Sequence, residues 1–296
     1  MVKPSVRKQV VSQLKTKFKA SLKSCCQVMR ISRSAYYYQS NIDDTALIAE
    51  LNRMTDKLPN RGFDTYYNRL RNEGFKWSRS RLLRVYRAMG LVRRPKKRRK
   101  LPEGERRPLY IAKELNEIWS MDFMSDSLTD TRTLRVLNII DDHNRECLVA
   151  HGSTNYPSVR VIDRLEELKR EKGLPKYIRT DNGPEFISYE YKEWCKKNDV
   201  IPVYSNPGRP MENGYIERFN RTFREDVLDA NYFSSTSQFN IVAERWMDDY
   251  NQNHPHKSLG YKSPNAFVKQ NFDGQKASLL AIEKEEFSNL AMSELP

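Results

Sequence analysis

Three carboxylates stand out of this 296-residue sequence because of the elements on which they fall. Asp122 lies within a short apolar run, Trp119-Ser120-Met121-Asp122-Phe123, and Asp181 directly follows another, in Ile178-Arg179-Thr180-Asp181-Asn182-Gly183. Glu217 sits in a stretch of helical periodicity running from Asn213 through Arg221. If the two runs are neighbouring strands, the aspartates lie side by side at the sheet edge, and a helix crossing that edge lowers Glu217 onto them. Three carboxylates so gathered would repel one another unless cations neutralise them. Hard oxygen ligands with places left for water and phosphate describe a Mg²⁺ site. Any one of these acids alone would more often be a solvated or capping residue. Their order and spacing set them apart.

The elements needed to position them can be read from the pattern. Ile118–Phe123, Leu134–Ile140 and Glu146–His151 are short apolar or β-branched runs separated by turn-like stretches, which predicts three consecutive antiparallel strands. Val159–Lys172 reads as a helix, Lys176–Arg179 as a strand, Ser188–Lys197 as a helix and Val200–Tyr204 as a strand. Asn213–Leu228 reads as a helix that buries Ile216, Phe219, Phe223 and Val227, and Ser237–Asn251 as the last one. Strands followed by alternating helices and strands give a mixed α/β layer fold. On the glutamate helix, Asn213, Asn220, Arg221 and Arg224 fall on the face of Glu217.

The first third of the chain has a different character. Of the net charge of +14, residues 1–110 carry +20 (28 Lys and Arg against 8 Asp and Glu), and the remainder carries −6. An excess so localised fits a region that grips a polyanion, with nucleic acid foremost because Lys and Arg neutralise phosphates and release counterions. Val6, Val10, Leu14 and Phe18 recur every four residues on a predicted first helix. Short helices over Ser21–Met29 and Arg33–Tyr38 complete a helix-turn-helix layout. A second such unit is predicted from helices over Asp43–Met54, Asp64–Asn72 and a Ser78-capped segment ending at Gly90. Arg33 in the first unit and Arg79 and Arg81 in the second are candidate DNA contacts, as are Lys96, Lys97, Arg98 and Arg99 of the basic arm at residues 93–100. Neither an apolar run of membrane-spanning length nor a secretory leader is present. The four cysteines form no C-x-x-C, which fits a reducing, cytoplasmic compartment.

Wording and interval together carry a resemblance. Thirty-five residues separate Asp181 from Glu217, within W-S-M-D, T-D-N-G-P-E-F and E-N-G-Y-I-E-R-F-N-R-T-F-R-E. Tyr250-Asn251-Gln252-Asn253-His254-Pro255-His256, Ser258-Leu259-Gly260-Tyr261 and Ser263-Pro264 follow as a closing signature. The chain resembles the DDE transposases of the retroviral-integrase superfamily, most closely the OrfB transposases of the IS-three family of bacterial insertion sequences. His254 departs from that pattern, standing where arginine is usual. The resemblance implies a ribonuclease-H-like catalytic core, a mixed five-stranded sheet flanked by helices, over residues 111–272. Two helix-turn-helix-like regions at 1–58 and 59–110 precede it, and a tail at 273–296 follows. It also implies Asp122, Asp181 and Glu217 as catalytic residues holding two Mg²⁺ or Mn²⁺ ions, and metal-dependent strand cleavage and strand transfer at the ends of an insertion sequence. Double-stranded DNA is the implied partner. A homo-oligomer assembled on DNA at the nucleoid, and a further DNA-binding partner encoded in an upstream frame, come from the same resemblance. Two other classes share parts of the pattern. A ribonuclease-H-like nuclease would share the acids, and a DNA-binding regulator would share the helix-turn-helix and arm without needing them.

Overall fold

The computed structural model describes residues 4–39, 42–92, 110–205 and 213–271, and the chain divides into two compact units, Met1–Ile48 and Ala49–Pro296. The basic arm with Lys96, Lys97, Arg98 and Arg99, and the tail at 273–296, lie outside the described residues.

In the first unit, α1 (Pro4–Phe18), α2 (Leu22–Val28) and α3 (Arg33–Tyr37) close on Val11, Cys25 and Cys26, with Leu14, Met29, Ile31 and Tyr36 packed around them. The side chains of Ser21 and Ser32 cap α2 and α3, accepting from the backbone N–H groups of Ser24 and Ala35. The four-residue spacing read on α1 does not make a buried stripe, since Val6 and Phe18 are exposed and Val11 is the residue fully covered. Each four-residue step overshoots a turn by about 40°, so three steps rotate the row by about 120° and off the core.

The second unit opens with the greater part of α4 (Thr45–Lys57), followed by α5 (Phe63–Asn72) and α6 (Arg79–Ala88). Leu51, Met54, Tyr66, Leu70, Leu82, Val85 and Tyr86 are buried in or between them. Gly74, at φ +96°, makes the turn after α5, and the Ser78 side chain caps α6.

Five strands form one sheet in the order β3-β2-β1-β4-β5: β1 (Ile118–Ser127), β2 (Thr133–Asp141), β3 (Cys147–Ser153), β4 (Tyr177–Thr180) and β5 (Ile201–Tyr204). The first three are antiparallel, whereas β4 lies parallel to β1 and β5 parallel to β4. Parallel neighbours need crossovers: α7 (Ser158–Lys172) carries the chain from β3 to β4, and α8 (Pro184–Ile187) with α9 (Tyr189–Lys197) carries it from β4 to β5. This is the ribonuclease-H-like arrangement. On one face of the sheet, Trp119, Met121, Leu137 and Ile139 pack with Val161, Leu165, Phe186 and Trp194. On the other, Met124, Leu134, Val136 and Ile140 pack with residues of α10 (Gly214–Phe223) and α11 (Thr236–Asn253), including Ile216, Phe219, Phe223 and Phe239. A single π turn, Arg224–Leu228, extends α10.

α11 also covers the sheet's β3 edge. Asn240 bonds both the N–H and the C=O of Gly152 (2.7 and 3.1 Å), and Asn251 does the same for Cys147 (2.8 Å each). These side chains satisfy backbone groups that an open edge would leave to another strand. A Cβ on Gly152 would stand 2.5 Å from the Phe239 ring, so only glycine lets the helix settle there.

Candidate active site

The period of two along a strand decides where Asp122 points. Trp119 and Met121 belong to the α7–α9 face with Phe123 packed against them, so Ser120, Asp122 and Met124 take the α10 side. The β1–β4 register pairs Ser120 with Arg179. The ladder stops there, and Asp181, the residue after β4, comes near enough to Asp122 for its charge to act on it. Asp181 is exposed and its Oδ1 accepts the N–H of Gly183 at 3.0 Å, a local turn that starts α8. Glu217 lies exposed in the first turn of α10, beside Ile216 and Phe219, which anchor that helix against the sheet.

Asp122 is half-buried and held at both oxygens. Oδ1 accepts the Phe123 N–H (2.8 Å), and Oδ2 accepts the Asn220 side-chain N–H (2.8 Å). Asn138, directly across from Asp122 on β2, donates in turn to Asn220 Oδ1 at 2.7 Å. Burial, with the negative charges of Asp181 and Glu217 adding to it, raises the Asp122 carboxyl to about 6 against the pull of the Phe123 and Asn220 donors. The three acids therefore share one electrostatic field. Among the described residues no group of three or more His, Cys, Asp or Glu stands close enough together to hold a metal ion, Asp122, Asp181 and Glu217 included. The donor chemistry fits a hard divalent cation all the same: only carboxylate oxygens are offered, and their crowding is what a cation would relieve.

The other predicted residues fall into distinct settings. Asn220 is buried as the hinge between Asp122 and Asn138 rather than presented to solvent. Asn213 is buried before α10, donating to Ser205 Oγ at 3.3 Å, with its own Oδ1 lacking a partner among the described residues. Arg224 donates to the Ser125 carbonyl (3.0 Å) and pairs with Asp126 (3.6 Å), which ties the end of α10 to β1. Arg221 is exposed and has no ion pair among the described residues. Arg33 is exposed at the start of α3. Arg79 is paired with Asp64 at 2.7 Å and lies over the Phe63 ring, and Arg81 is half-buried on α6.

Two supporting contacts were not evident from the sequence. Arg179 and Asp142, both buried, form an ion pair at 2.8 Å between β4 and the turn that follows β2. Burial nonetheless raises the Asp142 carboxyl to about 6, the nearby guanidinium of Arg179 opposing it. Glu185 opens α8 as its acidic first-turn residue and pairs with Arg135, whose guanidinium covers the Phe123 ring at 4.4 Å. The acids adjacent to β2 and α8 thus fix the strands that present the triad. Their only advance signals were their positions, Asp142 just after the second predicted strand and Glu185 just before a predicted helix.

Comparison with known proteins places this geometry. The chain matches the integrase core domain family over residues 112–210 and again over residues 198–264, ranges that include Asp122, Asp181 and Glu217. It is 32% identical over 263 residues to an uncharacterized 31.7 kDa protein of insertion element IS407 from Burkholderia multivorans, covering 87% of this chain and 94% of the relative. A 39.2 kDa uncharacterized protein of insertion element IS476 from Xanthomonas euvesicatoria is 30% identical over 93% of this chain and 80% of its own length. The transposase InsD of insertion element IS2 from Escherichia coli is 26% identical, over 77% of this chain and 80% of its own. With the sheet order, the matched core and relatives spanning nearly the full length in agreement, the chain belongs to the integrase-core family of bacterial insertion-sequence transposases.

Proposed function

We propose that this transposase cuts and joins DNA strands at the ends of its insertion sequence through Asp122, Asp181 and Glu217, which would hold two divalent ions, Mg²⁺ or Mn²⁺. The observation that supports this most is that the charges of Asp181 and Glu217 both act on Asp122, whose side of β1 is the one against which α10 packs. Bound there, divalent cations would lend Lewis acidity to the oxygens of a phosphodiester undergoing in-line displacement.

The chain's own residues have separate tasks in this reading. Asp122, anchored by Asn220 and the Phe123 N–H, is the fixed ligand and keeps one orientation. Asp181 and Glu217, both exposed, remain adjustable, so the site is completed when substrate and cation arrive. Water or a DNA 3′-hydroxyl attacks phosphorus, and the bond to the leaving 3′ oxygen breaks as the new P–O bond forms. The first use of the site frees a 3′-OH. The second directs that hydroxyl at another phosphodiester. Arg221, exposed one turn beyond Glu217, is placed for a phosphate near the scissile bond. The double-stranded DNA partner, an oligomer holding two ends and a place at the nucleoid belong to the same proposal.

The test is a strand-transfer assay on duplex carrying the element's terminal repeats, with and without Mg²⁺. D122N, D181N and E217Q should each bind that duplex and yield neither nicked nor joined product. Product from any of the three at the unmodified protein's rate would overturn the assignment.

A further inference from the structure

α10 has a second functional face. Glu217, Asn220 and Arg224 look toward β1, whereas Tyr215, Arg218, Phe219 and Thr222, spaced three and four apart, line a cavity of about 760 Å³ on another side of the helix. Its remaining walls come from Asp64 to Asn68 on α5 and from the Pro255–Tyr261 loop, all within the second unit. The lining is basic and aromatic. Arg61, Arg145, Arg218 and Lys257 face Asp64 as the single carboxylate, and Asp64 is already paired with Arg79. Arg61 is held by Asp226, but Arg218 and Lys257 are exposed with no ion pair among the described residues. The Arg145 guanidinium lies 3.4 Å above the Tyr215 ring, and His254 stacks on Tyr250 at 4.8 Å, so flat surfaces are already aligned along the wall. His256 also lines the cavity, but its Nε2 is enclosed by the protein, without a hydrogen-bond partner among the described residues.

We propose that this cavity binds a nucleotide of a single DNA strand, its phosphate on Arg218 and Lys257 and its base against the aromatic wall. A groove of cations with aromatic platforms is the chemistry that holds unpaired strands, and a base must be unstacked to enter. Because Arg218 adjoins Glu217 in the chain, a strand freed at the triad would reach the cavity by passing round α10. The inference rests on the chain handling DNA, as proposed above, and does not depend on which residues cut it.

Photocrosslinking without added metal tests it. A short single-stranded oligonucleotide bearing 5-iodouracil is irradiated with the full-length protein, and the adducts are mapped by mass spectrometry. Adducts on Tyr215 or Tyr261 are expected, reduced about tenfold or more in R218A/K257A, the size of losing roughly one stacking or phosphate contact. D122N should crosslink like the unmodified protein, so a failed triad assignment would leave this result untouched. Adducts confined to other segments, or yields unchanged in R218A/K257A of unchanged thermal stability, would overturn the proposal. An oligonucleotide held in duplex should give little cavity adduct, and equal adduct from duplex would also contradict it.

Discussion

At the scale of the residue, Asp122 is the group most displaced from its ordinary chemistry. Its folded-state carboxyl lies near 6, above the ordinary value of 3.8, because burial and the charges of Asp181 and Glu217 oppose ionisation. A raised acid pKa means the folded chain holds that proton more tightly than the unfolded one. The associated stability is therefore present below 3.8 and lost as pH rises through about 6. Without divalent metal, D122N should accordingly be more stable than the unmodified protein at about pH 8, by about 1–3 kcal/mol, and no more stable near pH 3.5. Mg²⁺ should shrink the difference at high pH by stabilising only the charged triad. Denaturant unfolding at the two pH values checks this, and an advantage independent of pH would show that carboxylate crowding is not its source. The aspartates stood out in the sequence through their order and spacing, one inside an apolar run and one directly after another. Asn138 and Asn220 were not legible in their anchoring role, because an amide on a strand and another on a helix reveal nothing of their contact until the two elements are packed.

Among the elements, the β1–β4 pair and α10 determine whether the site exists. β4 is only four residues long, and the Arg179–Asp142 ion pair ties it to the turn that follows β2. Removing one partner of a buried pair leaves a charge without compensation, whereas removing both is far milder. R179M should lose about 3–5 kcal/mol of unfolding free energy near pH 8, and D142N/R179M should recover a large part of it. Equal stability of the single and double variants in urea unfolding would mean that the pair does not lock β4. The sheet itself was well predicted. All five strands fell near their expected runs, and the capping of α9 by Ser188 followed the expected helix start. What the pattern could not supply was the order of strands in space, which depends on crossovers, and the true inward face of α1, where a run of four-residue steps drifts round the helix.

Across the whole molecule, the motif that closes the catalytic domain acts in packing as well. Tyr250, His254 and His256 interlock, with His254 stacked on Tyr250 and set edge-on to His256 at 4.9 Å. Burial first, then the positive charges of Arg145 and Arg218, lower the His256 imidazole to about 3, and burial likewise holds His254 well below its usual value. An imidazole depressed in the folded state lets the unfolded chain take up protons first. The stability it supports is full above 6.5 and is lost as pH falls toward 3. Unfolding free energy should drop by up to about 2–3 kcal/mol per histidine between pH 6.5 and about 4.5, and H256F should flatten that slope. A slope unchanged in H256F would assign the acid sensitivity to carboxylates elsewhere. The same loop borders the basic cavity behind α10, so the signature recognised in the sequence joins α11 to a wall of that cavity.

A change of metal preference tests most directly whether the three acids act together on a cation. A thiolate in place of a carboxylate weakens binding of hard Mg²⁺ more than that of softer Mn²⁺. D122C should therefore fail at strand transfer in Mg²⁺ and regain measurable joining in Mn²⁺, while the unmodified protein joins ends in both. Joining by D122C in Mg²⁺ at the unmodified rate would contradict the account, because it would place the cation, and with it the chemistry, away from Asp122.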